Sequence, residues 1–147
     1  MDYYLPEGTW TSFLDNRVVE GGKWQHEVHG FMSLPLMARE NSLIPVGYND
    51  QEVEYDYGKD LTLHLFALKD RASADVKDMC GNDMLKACAK NENGKVTMKF
   101  EGKAEGLKVL LRNVKGVKAL NGAEAEETGL GTLLHVNAGL SDVTFEM

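Results

Sequence analysis

MLKACAKNENGKVTMKFE, residues 84–101, decides the fold. Val96, Met98 and Phe100 alternate with Thr97, Lys99 and Glu101, the period-2 pattern of a strand with one buried face. At its centre, Asn93-Gly94 supplies two residues that tolerate positive φ, as a two-residue hairpin turn requires. Met84–Lys90 and Lys95–Glu101 are therefore expected to pair as antiparallel neighbours. Upstream, Leu61, Leu63 and Leu65 alternate with Thr62 and His64 in the same way. Downstream, Leu107–Arg112, Leu130–Val136 and Val143–Met147 read as further strands. A helix-forming tract is hard to find, since Ala123–Glu127 is too short and is closed by Thr128-Gly129. Short strands separated by turn signals about every eight to twelve residues predict an all-β fold, an antiparallel β-sandwich.

The N-terminal part has the same character. Tyr3–Leu5, Trp10–Leu14, Arg17–Glu20, Trp24–Val28 and Phe31–Arg39 read as extended, with Asp15-Asn16 and Gly21-Gly22 as turns. Composition shifts near Tyr57: residues 1–57 carry ten acids and three bases, residues 58–147 thirteen of each, and both Trp, all Pro and all Tyr residues precede the shift. Two units are expected. Residues 1–57 form a smaller partial β unit with a linker, residues 58–147 form the sandwich, and the joint is GYNDQEVEYDYGKD, residues 47–60. A strand-like DYYL directly behind Met1 reads as a chain that starts inside a larger fold, leaving an open edge that favours self-association.

Composition excludes whole classes of function. With 147 residues, 43% hydrophobic and 27% charged, the chain is neither disordered nor fibrous. A net charge of −7 and a pI near 5.1 have the wrong sign for nucleic acid or an anionic membrane surface. No apolar run is long enough to span a bilayer, and MDYYLPEGTW lacks the basic head and apolar stretch of a secretory signal. Cys80 and Cys88 are the only cysteines and no N-x-S/T sequon occurs, so free thiols and a cytoplasmic location are expected.

Few residues carry chemistry. Trp10 and Trp24 are the candidate contact residues: an indole either fills a core or domain interface or, when exposed, stacks on the C–H face of a sugar. His26-Glu27-Val28-His29 spaces its histidines i to i+3, and on a strand these fall on opposite faces, so no metal site is expected. The acids Asp50, Glu52, Glu54, Asp56 and Asp60 read as a solvated linker, since the Gly and Glu of an EF-hand loop are missing from their positions. Gly129-Leu130-Gly131 reads as a turn. Cys80 lacks a nucleophile's partners, and Ser12, Ser33, Ser42, Ser73 and Ser141 lack the G-x-S-x-G setting. No catalytic residue, cofactor or metal follows from these patterns.

Four segments nevertheless carry a resemblance. YYLPEGTW (3–10), GGKW (21–24), FMSLPLMARENSLIPVG (31–47) and NDQ (49–51) resemble the C-terminal region of family 31 glycoside hydrolases, closest to bacterial α-xylosidases. LHLFAL (63–68) and LLRNVKGV (110–117) extend the resemblance to the rest of the chain. It implies a catalytic (β/α)8 barrel followed by a proximal and then a distal β-sandwich. The tract ending near Val46 would be the latter part of the proximal sandwich, and residues 58–147 the distal one, reaching the chain's natural end. The barrel holds the family's aspartate nucleophile and aspartate acid/base, and no segment here corresponds to it, so no catalytic residue carries over. The implied role is a non-catalytic accessory region of an α-xylosidase/α-glucosidase-like retaining enzyme, supporting the barrel and subunit packing. The alternative is a carbohydrate-binding module for xylose- or glucose-containing oligosaccharides.

Overall fold

A computed structural model describes residues 1–139 and 141–147. It divides into two units, Met1–Glu40 and Asn41–Met147. In the first, β1 (Asp2–Leu5) pairs with β4 (Lys23–His26) as an antiparallel ribbon. β2 (Thr9–Ser12), β3 (Val18–Glu20) and β5 (Met37–Arg39) form a three-stranded sheet in the order β3-β2-β5. Asn16, at φ 66°, makes the expected turn between β2 and β3. The Gly21-Gly22 turn has a different use: it hands the chain from one sheet to the other, because β3 and β4 belong to different sheets. Gly21 is required there, since a Cβ would sit 1.9 Å from the Pro6 carbonyl oxygen.

Phe31–Arg39 is extended strand only at its end. Residues 27–36 form a loop, turned by a Ser33 N–H to Gly30 O bond of 3.1 Å, and β5 begins at Met37. Gly30 weakens a strand and Pro35 withholds a ladder donor, so the apolar content of this stretch misleads. Only Leu5 and Ala38 are buried apolar residues in this unit.

The second unit is a pair of five-stranded sheets. One contains β6 (Ser42–Val46), β7 (Thr62–Phe66), β11 (Lys108–Arg112), β13 (Ala123–Thr128) and β14 (Gly131–Val136), in the order β13-β14-β11-β7-β6. The other contains β8 (Arg71–Lys77), β9 (Asp83–Glu92), β10 (Lys95–Gly102), β12 (Lys118–Asn121) and β15 (Asp142–Glu146), in the order β12-β15-β10-β9-β8. The hairpin read from residues 84–101 is β9-β10: Glu92 opposes Lys95, and Asn93 and Gly94 take φ 54° and 88°. Leu63, Leu65, Val96, Met98, Val109, Leu111, Leu134 and Phe145, all nearly inaccessible, fill one core. Each such side chain contributes roughly 1.5–3 kcal/mol by leaving water.

Three features differ from the sequence reading. β7 and β11 pair in parallel, a pairing preceded by the parallel bridge Lys59↔Glu105, because the chain crosses to the other sheet for β8–β10 before returning. Ala123–Glu127, rich in helix formers, is the edge strand β13; pairing with β14 overrides its local preference. The boundary between compact units falls at Glu40, not near Tyr57, because β6 pairs with β7 from Ser42↔Phe66 to Val46↔Thr62. The acidic stretch 47–60 is thus a loop within the second unit rather than a linker.

Candidate functional site

In the first unit the alternation of β1 and β4 sorts side chains to two faces. Tyr3 and Leu5 share one face with Gln25, while Asp2, Tyr4, Trp24 and His26 share the other. On that second face Tyr4 opposes Trp24, with ring centroids 5.8 Å apart and planes at 63°. Trp24 is 70% exposed and Tyr4 52%. Beside them His26 Nδ1 lies 2.5 Å from Asp2 Oδ1, and that hydrogen bond holds the Asp2 carboxyl below the usual carboxylate range. The result is an exposed edge-to-face aromatic pair with a polar end.

Trp10 is not part of it. It lies on β2, half-buried, with its indole N–H donated to the Pro6 carbonyl at 2.9 Å. The two tryptophans singled out by sequence therefore sit on different sheets with different partners. The two histidines also diverge: His26 pairs with Asp2, whereas His29 Nε2 is 2.7 Å from Glu27 Oε2 and its Nδ1 2.9 Å from Ser33 Oγ. No group of three or more His, Cys, Asp or Glu able to hold a metal ion occurs among the described residues.

The organising residue that sequence reasoning missed is Glu27. Its Oε1 accepts the Tyr3 hydroxyl at 2.6 Å and the Arg17 guanidinium, and its Oε2 faces His29. The Tyr3 bond, with Arg17 and His29 adding to it against partial burial, holds the Glu27 carboxyl down at about 2. Tyr3, partly desolvated and bonded to that anion, is pushed up to about 12. One carboxylate thus ties β1, the β2–β3 turn and the start of the loop after β4. The only sequence signal was the coincidence of Glu27 and His29 two residues apart, which is common in surface loops.

Beyond Glu27 the tied loop presents apolar side chains to solvent. Val28, Phe31 and Met32 are 89%, 102% and 91% exposed, and Leu34 and Leu36 about half. Among the described residues, ten of the sixteen exposed large apolar side chains lie in the first 40 positions, which hold two buried ones. The first unit is thus poor in core and rich in outward apolar surface.

In the second unit, Arg112 and His64 make a polar pair on the face of β11 and β7 opposite the core. Arg112, 2% exposed, donates to His64 Nδ1 at 3.2 Å, and its guanidinium lies 4.9 Å from the Phe66 ring centre. Since Arg only donates, Nδ1 must be the acceptor of a neutral imidazole. Burial, reinforced by the Arg112 charge, lowers the His64 pKa to about 4. The pair knits two strands together.

The class these features define is an all-β fold of two compact units, and comparison with known proteins gives the family. The model for the alpha-xylosidase YicI C-terminal domain matches residues 56–147, and the chain belongs to that family. Alpha-xylosidase XylQ of Lactiplantibacillus pentosus is 35% identical over 104 residues, covering 68% of this chain and 14% of that protein. Among solved structures, the cycloalternan-forming enzyme of Listeria monocytogenes with a pentasaccharide substrate superposes with a TM-score of 0.75 at 17% identity, over 98% of this chain and 16% of that one. A Flavobacterium johnsoniae family 31 dextranase complexed with glucose gives 0.67 at 16% identity, over 98% of this chain and 23% of its own. These structural likenesses speak to the fold. The chain spans about a seventh of the length of the xylosidase it matches.

Proposed function

We propose that this chain is the non-catalytic C-terminal accessory region of an α-xylosidase/α-glucosidase-like retaining glycoside hydrolase, supporting the enzyme's catalytic barrel and its subunit packing. The carrying observation is the first unit's surface: Val28, Phe31, Met32, Leu34 and Leu36 stand exposed on a loop anchored by Glu27, above a unit with two buried apolar residues. Membership of the C-terminal domain family and the small share of each relative covered support the same reading. Residues 1–40 would be the remnant of the proximal sandwich, and the second unit, which takes in Ser42–Val46 as β6, the distal one. The free thiols Cys80 and Cys88 fit a cytoplasmic enzyme, and no helix is long and apolar enough to cross a membrane among the described residues.

The test belongs in the full-length enzyme. Replacing Phe31 and Met32 together with Ser is expected to lower its melting temperature by several degrees, at about 2–4 °C per kcal/mol for a large domain. Unchanged melting and unchanged subunit mass would overturn the reading. The Tyr4–Trp24 surface favours a second one, a carbohydrate-binding module for xylose- or glucose-containing oligosaccharides, because an exposed indole offers a flat face to a pyranose. In that case Trp24→Ala would abolish sugar binding and leave melting unchanged.

A further inference from the structure

The loop between β6 and β7 gathers three of the chain's five tyrosines. Tyr48 meets Tyr55 edge-to-face at 5.3 Å and 82°, and Tyr55 meets Tyr57 at 4.7 Å and 78°. Beside them runs a groove of about 310 Å³ lined by Tyr55 and Tyr57 with Pro45, Val53, Leu61 and Val76. We infer that this groove binds a neutral oligosaccharide, with a pyranose ring lying against the tyrosines. This goes beyond the accessory role, and it uses a site distinct from the Trp24 surface.

Size, shape and charge select this class of ligand. The volume is at the lower end for small-molecule sites, about 300 Å³ and upward, which suits one or two sugar rings. The lining is mostly apolar and aromatic, as the C–H face of a pyranose requires, with Glu52 its one charged side chain, and Tyr48, which packs on Tyr55 next to the groove, is about half exposed. Between Gly47 and Gly58 the loop holds no base and four carboxylates, of which Glu52 lines the groove. An acidic loop of this kind repels phosphates and anionic sugars, and the Glu52 carboxylate can accept hydrogen bonds from neutral hydroxyls. These carboxylates do not converge into a cation site, since they form no metal-holding group among the described residues.

The groove is also built in advance of any ligand. The Tyr57 hydroxyl donates to the Val53 carbonyl at 2.8 Å, closing the loop on itself. Gly47 lets the Tyr55 hydroxyl lie against the backbone: a Cβ at this position would be 1.9 Å from that oxygen. A preformed aromatic wall lowers the ordering cost of binding. Elsewhere in the same loop, Asn49 Oδ1 accepts the Gln51 N–H at 2.9 Å.

The experiment is a two-dimensional amide NMR titration of the chain with maltotriose and with a xyloglucan heptasaccharide. Saturable shifts confined to residues 45–61 are expected, weakened about tenfold by Tyr48→Ala and unchanged by Trp24→Ala, a tenfold loss being about 1.4 kcal/mol. Tyr55→Ala should abolish them, and if that variant loses its dispersed spectrum, the half-exposed Tyr48 decides alone. Absence of saturation with either sugar would overturn the inference while leaving the barrel-supporting role intact. Shifts that survive Tyr48→Ala, that move to Trp24, or that appear only with calcium chloride would overturn it as well.

Discussion

Single residues hold this molecule's irregular parts in place. Glu27 bonds to Tyr3, Arg17 and His29 at once, so Glu27→Ala strands three polar partners. A loss on the order of 1–3 kcal/mol from the first unit is expected, read by chemical denaturation followed through Trp10 and Trp24 fluorescence. His64 makes a prediction about pH. Its folded pKa, about 4, lies below the unfolded value of about 6.5, so the unfolded chain takes up the proton first. Stability from this group is full above about pH 6.5 and is lost as pH falls toward 4. His64→Gln should flatten the pH dependence of stability over that window, and an unaltered slope would refute the assignment. Glu27 acts lower, its contribution fading as pH falls from about 4.5 toward about 2.

Elements obey local rules until neighbours overrule them. The β9-β10 hairpin is set by alternation and by Asn93-Gly94, both local; the two strands pair as read, with β9 running on to Glu92 so that Asn93-Gly94 alone makes the turn. The β13-β14 hairpin depends on contacts that are not local. Gly131, at φ 147°, lies where a Cβ would come 1.9 Å from the Leu111 carbonyl oxygen on β11. Gly131→Ala is expected to cost well over about 1 kcal/mol, seen as a lower denaturation midpoint. Gly129→Ala, with open space at its Cβ, should change little. Both glycines read alike as turn residues in the sequence; only the approach of β11 separates them.

At the scale of the molecule the two units differ in what sustains them. Among the described residues, the second buries nineteen apolar side chains in one cluster, whereas the first buries Leu5 and Ala38. Amide hydrogen exchange should therefore show β1–β5 exchanging well before β7, β9, β10 and β11. Equal protection in both units of a monomeric sample would contradict this. The contrast also explains why the exposed loop 27–36 is the strongest pointer to a partner: apolar surface left outward by a unit that cannot bury it needs cover from elsewhere.

The sequence by itself determined the all-β class, the β9-β10 hairpin, the inward residues of β7 and β10 and, through motifs spread along the chain, the family. These rest on period-2 alternation, on residues that tolerate positive φ and on short ordered motifs, all readable within a few residues. Tertiary structure decided the parallel β7–β11 pair, the strand state of Ala123–Glu127 and the attachment of Ser42–Val46 to the second unit. It also decided that Trp24 faces solvent while Trp10 bonds to Pro6, and that Glu27 joins three segments. Such outcomes depend on partners distant in the chain, and no local pattern encodes which strand will lie alongside or which side chain it will meet.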